Sequence, residues 1–207
     1  MVHQTLQTIY SGLDDKSLWR AFLDGDKAAF EWIYRKNVQG LYAYGRKLVP
    51  SSAVVKDCIQ ELFVELWNRR NFLSATDNIK FYLFKALKIK IVHAVKDEKR
   101  WDDRLTKSQC GMQESVEASY EDAIIENQIS QEHKTKLLSA LNLLPSRQRE
   151  VLHLLFFDNM NYEQVSEIMS INVSSAYTLA WKGIRRLKKA LRDLVVIVFI
   201  AIDLLFG

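Results

Sequence analysis

The stretch from Leu144 to Ala190, LPSRQREVLHLLFFDNMNYEQVSEIMSINVSSAYTLAWKGIRRLKKA, constrains the fold more than any other part of the chain. Three helical patterns follow one another here with only short breaks. Pro145 has no backbone N–H and cannot continue a helix. Ser146 behind it is the expected N-cap of a helix carrying Val151, Leu152, Leu155 and Phe156. Asp158 and Asn159 break that helix. Asn161 opens the next one, with Gln164 three residues on in the spacing of a capping box, and Val165, Ile168 and Met169 form its buried stripe. Ser170, Ile171 and Asn172 make a turn, and a third helix is predicted from about Val173 to Leu191.

The third helix points to the partner. At about 100° per residue, Val173, Ala176, Ala180, Ile184, Leu187 and Leu191 share one face. The opposite face carries Ser175, Thr178, Lys182, Arg185, Arg186 and Lys189, with Ser174 and Trp181 at its edge. Small hydroxyl residues come first and cations follow. A helix entering a major groove end-on needs that order, with short side chains near the base edges and cations over the flanking phosphates. The bland alternative is an ordinary solvated basic face. A capped helix and a short turn immediately upstream favour the helix-turn-helix reading.

Only two prolines and seven glycines interrupt 207 residues, and 48% of the residues are hydrophobic, so an all-α chain with real cores is expected. The net charge of +4 fits a nucleic-acid partner because the cations cluster, from Lys85 to Arg104 and from Lys182 to Arg192, while 114–132 is acidic. Cys58 and Cys110 cannot build a disulfide framework or a zinc site, and His3, His93, His133 and His153 have no metal-ligand spacing. No metal and no cofactor are expected. No signal-peptide pattern opens the chain, which makes the cytoplasm the expected compartment. The apolar run LVVIVFIAIDLLF from Leu194 to Phe206 holds about 13 residues and includes Asp203, short of the roughly 20 that a membrane span needs. It reads as a helix end packed on the protein or on a partner.

The plan is two small helical domains joined by a linker, the second a helix-turn-helix domain. The first, 14–100, is a run of helices punctuated at Asp24, Gly25 and Asp26 and again at Pro50 and Ser51. A helix from about Ser52 to Asn71 buries Ile59, Leu62, Phe63, Leu66 and Trp67 and shows Asp57, Gln60, Glu61, Glu65 and Asn68 outward. The next, about Ile79 to Arg100, mixes Phe81, Tyr82, Leu83, Phe84, Leu87 and Ile91 with many lysines. Residues 101–130 lose the apolar pattern and read as an acidic linker, 131–192 hold the helix-turn-helix, and 193–207 are the hydrophobic tail.

In this order the two blocks resemble the extracytoplasmic-function (ECF) sigma factors, the two-domain initiation subunits of bacterial RNA polymerase. The matching stretches are DCIQELFVELW from Asp57 to Trp67, with Gly25, Asp26, Ala29 and Phe30 upstream. In the second block they are Leu144, Pro145, Gln148, Arg149, Glu150 and Val151, then Tyr162, Val165, Ser166, Glu167 and Ile168. The resemblance spans about residues 20–190 and implies roles. Residues 14–100 would be region 2, binding core polymerase through Asp57, Gln60 and Glu61, with Phe63 and Trp67 supporting them from below. The helix holding Phe81, Tyr82, Lys85, Lys88, Ile89, Lys90 and Lys96 would read and open the −10 element. Residues 131–192 would be region 4, reading the −35 duplex through Ser174, Ser175, Thr178 and Trp181 at base edges and Lys182, Arg185 and Arg186 at phosphates. Implied partners are core RNA polymerase, promoter DNA and an anti-sigma factor, often membrane-bound in the family, and the chain would be a monomer when bound to polymerase.

The chain departs from the family pattern at four places. Ile89 stands where Asn is common, Tyr177 and Leu179 where Lys and Arg are common, and Ser170 where the turn often has Gly. Tyr177 falls toward the core on the helical wheel. With two cations missing from the groove end, bidentate guanine readout by the usual residues is not expected. Ser170 or Asn172 is expected to take the left-handed turn conformation. The competing function is a stand-alone helix-turn-helix regulator that binds duplex DNA without polymerase. It would need a dimerisation or effector domain in residues 1–100, where no heptad seam or ligand-pocket signature appears. An enzyme is not expected, because no phosphate-binding Gly loop, metal cluster or nucleophile motif is present.

Overall fold

The computed structural model describes Tyr10, residues 12–105 and residues 139–206, with side chains described as far as Lys96 in the first stretch and Ala190 in the second. Every element among the described residues is a helix. The order is α1 (Asp15–Leu23), α2 (Lys27–Leu48), α3 (Ser52–Asn68), a 3₁₀ turn (Arg70–Phe72), α4 (Ile79–Leu105), α5 (Ser146–Phe156), α6 (Tyr162–Met169) and α7 (Val173–Phe206). The chain divides into two compact units, Met1–Val116 and Glu117–Gly207.

In the first unit each helix starts where a short polar side chain can take up free backbone N–H groups. Asp14 accepts from Ser17 N, Asp26 from Ala28 N and Ala29 N, and Ser51 from Val54 N. Asn78 Oδ1 accepts from Phe81 N at 2.9 Å. At the same end of α4, Asp15 Oδ2 accepts from Ile79 N at 2.9 Å, so a carboxylate of α1 locks the start of a helix 64 residues away. Gly25, at φ +92°, turns the chain between α1 and α2 in a conformation that a side chain would oppose. The core between α1, α2, α3 and α4 is built from Trp19, Phe22, Ile33, Leu41, Tyr44, Val55, Leu83, Phe84, Leu87 and Ile91, all 2% exposed or less. Each such side chain contributes about 1.5–3 kcal/mol by leaving water. Gly45 brings α2 against α3, for a Cβ there would lie 2.6 Å from Val55 Cγ1.

In the second unit α5 and α6 both pack on α7. Val151, Leu154, Val165 and Ala176 are fully buried, with Ile168 and Ala180 nearly so. The small residues Ala176, Ala180 and Gly183 let the backbones approach. A Cβ at Gly183 would sit 3.0 Å from Leu152 Cδ1. The capping box forms as expected, with Gln164 N donating to Asn161 Oδ1 at 2.8 Å and Asn161 N donating to Gln164 Oε1 at 3.1 Å.

Several sequence expectations are corrected. Ser146 is the first residue of α5 and not its cap. Pro145 holds the cap position without a side-chain bond, and its carbonyl accepts from Gln148 N and Arg149 N. The helix expected to reach Asn71 ends at Asn68, because the chain tightens into the 3₁₀ turn over Arg70–Phe72. Helix α4 runs to Leu105, so the first residues assigned to the linker are helical. Likewise α7 continues past Leu191 to Phe206 as one helix, carrying the apolar tail as its last turns. The rest of the acidic linker, and the tail's side chains, lie outside the described residues. Among the described residues no helix is long and apolar enough to cross a membrane, and no cluster of His, Cys, Asp or Glu is placed to hold a metal.

Candidate functional site

Helix α3 presents a polar strip on an aromatic foundation. Asp57, Gln60, Glu61 and Asn68 are exposed along it. The helical period turns Phe63 inward to 5% exposure and leaves Trp67 half-buried beneath the strip. Phe63 meets Phe30 edge-on at 5.9 Å and Tyr34 at 4.9 Å, and Trp67 meets Phe30 at 5.1 Å. The Arg70 guanidinium lies 4.4 Å above the Trp67 ring and donates to the Trp67 carbonyl at 2.8 Å. Rings braced on three sides fix the orientation of the helix and hence of the polar groups above. Val64, 53% exposed, interrupts the strip and was not among the sequence candidates. Its signal was present, since a valine at an outward position of an otherwise polar face is unexplained by the core.

Glu65 is held more tightly than its neighbour Glu61, which lies 3.9 Å from Lys90. The same lysine approaches Glu65 at 2.8 Å from α4, and Arg69 does so at 2.8 Å from the next turn. The Lys90 bond, then the Arg69 bond, hold the Glu65 carboxyl below the usual range. Lys90 is therefore committed to α3, with its side chain only 22% exposed. Of the α4 candidates, Phe81 is half-buried with the Lys85 ammonium 5.6 Å from its ring centre. Tyr82 packs on Trp19 at 5.1 Å, and burial pushes its phenol up. Ile89 is 52% exposed, Lys88 half-buried and Lys96 exposed. Phe84 belongs to the core. A hollow of about 310 Å³ between α3 and α4 gathers Glu65, Arg69, Tyr82, Ile89 and Lys90.

Helix α7 is entered through a tight polar turn. Ser170 takes the left-handed conformation at φ 52°, ψ 53°, and Asn172 caps α7 by accepting from Ser175 N at 2.7 Å. The Ser174 hydroxyl donates to Asn172 Oδ1 at 2.9 Å, and the Thr178 hydroxyl to the Ser174 carbonyl at 2.9 Å. Both hydroxyls thus face outward as acceptors. Thr178, Lys182, Arg185 and Arg186 are exposed, Ser175 half-buried, and Trp181 59% exposed. The Arg185 guanidinium lies 5.4 Å from the Trp181 ring centre, and Arg186 donates to Gln148 Oε1 at 3.1 Å.

Tyr177 overturns the wheel reading. It is 52% exposed, and its ring stacks on Tyr162 with centroids 3.7 Å apart and planes 19° from parallel. The aromatic ring is too large for the Ala176–Ala180 seam, where backbones are close, so it leaves the core. Periodicity along one helix cannot reveal the pair, because Tyr162 opens α6 and meets Tyr177 only through the turn.

A family model described as sigma-70 region 2 matches residues 33–101, and one described as sigma-70 region 4 matches residues 134–191. The ECF RNA polymerase sigma factor SigK of Mycobacterium ulcerans is 21% identical over 179 residues, covering 86% of this chain and 94% of that protein. SigK of Mycobacterium tuberculosis H37Rv is 22% identical with the same coverage. Among solved structures, the sigma factor RpoE of Bartonella quintana, in complex with the anti-sigma factor NepR, superposes with a TM-score of 0.61 at 20% identity. That match covers 79% of this chain and 96% of RpoE. CnrH, in complex with the cytosolic domain of CnrY, gives 0.56 at 16% identity, covering 86% and 97%. These two likenesses concern the fold. The polar strip of α3 and the whole of α4 as far as Trp101 fall inside the region 2 match, the capped turn and basic face of α7 fall inside the region 4 match, and the chain belongs to the sigma-70 family of RNA polymerase sigma factors, in its ECF group.

Proposed function

We propose that this chain acts in the cytoplasm as an initiation factor without chemistry of its own, delivering core RNA polymerase to a subset of promoters. Region 2, over 14–100 and its helical extension, docks on the polymerase through Asp57, Gln60 and Glu61, with Val64 adding apolar area and Phe63 and Trp67 bracing them. Helix α4 handles the −10 element through Phe81, Tyr82, Lys85, Lys88, Ile89, Lys90 and Lys96, with Lys90 also pairing with Glu65 of α3. Region 4, over 131–192, reads the −35 duplex. Ser174, Ser175, Thr178 and Trp181 face base edges and Lys182, Arg185 and Arg186 face phosphates. Residues 101–130 tether the two, and the hydrophobic tail over 193–207 continues α7 as far as Phe206.

The observation that carries this reading is a polar strip mounted on a braced aromatic layer in the same chain as a capped helix-turn-helix with a basic outer face. An anti-sigma factor is the proposed restraint, supported by the fold shared with RpoE bound to NepR and CnrH bound to CnrY. The test is competition with a housekeeping sigma factor for core polymerase. The chain displaces the competitor, and Glu61→Lys, at a 70% exposed side chain, weakens displacement about tenfold, while the melting temperature moves only slightly from loss of its 3.9 Å pair with Lys90. A Glu61→Lys variant that competes like the original chain places the docking face elsewhere.

A further inference from the structure

Two aromatic side chains stand in water on the DNA-facing edge of α7. Tyr177 is 52% exposed and Trp181 59% exposed. They lie four residues apart, so on a helix they are neighbours in one stripe, with Ser174 before them, Thr178 beside them and Arg185 after them. Neither ring serves the core, which is closed by Ala176, Ala180 and Gly183 on the other side. Both are nonetheless held. Tyr177 lies flat on Tyr162 at 3.7 Å, and Trp181 lies beneath the Arg185 guanidinium at 5.4 Å. Tyr162 is itself fixed as the first residue of α6, inside the Asn161–Gln164 capping box. A ring immobilised in advance loses little conformational freedom on binding, which favours its use as a contact.

Resting on the −35 reading above, we infer that Tyr177, positioned by Tyr162, is a specificity-determining residue that reads the C5-methyl group of a thymine in the major groove. The neighbouring groups suit that chemistry. Thymine is the base that offers an apolar group in the major groove, and an aromatic or methyl-bearing side chain is what recognises it. One face of the Tyr177 ring is occupied by Tyr162, and about half of the side chain's surface remains for the ligand. Ser174, one turn before, and Thr178, the next residue, have donated their hydroxyl hydrogens to Asn172 Oδ1 and to the Ser174 carbonyl and offer lone pairs. They can accept from the exocyclic amino group of adenine, the partner of thymine, or of cytosine. Lys182, Arg185 and Arg186 supply the positive charge that brings this edge against a duplex. The position where cationic side chains would read guanine thus carries a stacked ring suited to a methyl group.

The test uses the full chain assembled with core RNA polymerase and a promoter duplex selected from a pool randomised across the −35 region. Each thymine of the selected −35 element is then replaced singly by uracil, which removes the methyl group and nothing else. At one position the replacement weakens binding about fourfold, the value of one buried methyl group. With Tyr177→Ala the same replacement has no effect, and with Tyr162→Leu the loss shrinks at the same position. Tyr177→Ala changes an exposed residue, and an unchanged melting curve confirms that the fold is kept. Two results overturn the inference. One is a uracil penalty that is equal in the original chain and in Tyr177→Ala; the other is no penalty at any thymine. A Lys182→Glu, Arg185→Glu variant separates this failure from a failure of the −35 reading. If that variant binds the duplex as well as the original chain, α7 is not the duplex-contacting helix and the broader proposal falls with it.

Discussion

Ser170 shows how one residue can carry a cost that its surroundings impose. The break between α6 and α7 requires a left-handed residue, and Ser170 supplies it at φ 52°. Its N–H donates to the Glu167 carbonyl and the N–H of Ile171 to the Ser166 carbonyl, so the helix end is satisfied although the backbone is strained. Ser170→Gly should raise stability by about 0.5–1 kcal/mol, the left-handed penalty relieved less the extra freedom of glycine in the unfolded chain. A urea titration with an unchanged slope and a higher midpoint would show it. A second residue-scale effect belongs to Tyr10, whose hydroxyl donates to Asp26 Oδ2 at 2.6 Å. That bond pushes the tyrosine up to about 12 and pulls the Asp26 carboxyl below its usual range. The tyrosine's contribution is complete below about pH 10 and is lost as the pH rises toward 12. The carboxylate's contribution is present above the ordinary Asp range and is lost as the pH falls through its depressed folded value. Tyr10→Phe should therefore lower stability at neutral pH and flatten the alkaline fall between pH 10 and 12 in melting curves.

At the scale of elements, packing distance decides what helix propensity cannot. Gly45 is a poor helix former in the middle of α2, yet a Cβ there would meet Val55 Cγ1 at 2.6 Å and Ile91 Cδ1 at 3.3 Å. Val55 and Ile91 are core side chains of α3 and α4, so neither can swing into solvent. Gly45→Ala gains about 1 kcal/mol of helix propensity but forces apart the three helices that support the α3 strip. A net loss of about 1–2 kcal/mol is expected, read as a lower melting temperature. The aromatic layer under α3 has the same logic. Its rings position a polar face, and their energy is spent on orientation as much as on stability.

For the whole molecule, the relevant quantity is how charge is distributed over faces. A net charge of +4 is modest, but the outer side of α7 concentrates Lys182, Arg185, Arg186 and Lys189, while the α3 strip carries Asp57 and Glu61. One chain can therefore attract a polyanion at one face and a basic or amide-rich protein surface at another. Duplex binding by the polymerase-bound chain should weaken with salt. Lys182→Ala and Arg185→Ala should each flatten the log–log salt slope by about 1, with a similar loss on every sequence. Tyr177→Ala should leave that slope unchanged and alter only sequence preference. Affinities measured between 50 and 200 mM salt distinguish the two classes of residue.

Local chemistry was enough to place much of this protein. The capping box at Asn161 and Gln164, the breaks at Gly25 and Pro50 and the amphipathic faces of α3 and α7 depend on contacts within one or two turns, which a linear reading can register. Phe84 as core and Glu61 as surface follow from the same 3.6-residue period. Three features depended on segments far apart in the chain. Lys90 turns from a free cation into the partner of Glu65, Asp15 caps a helix it does not belong to, and Tyr177 leaves the core for Tyr162. Each follows from how two helices distant in sequence approach one another, which the period of a single helix does not record. Periodicity reports which way a side chain points along its own helix. Whether there is room for it, and which group waits on the other side, is decided only when helices pack.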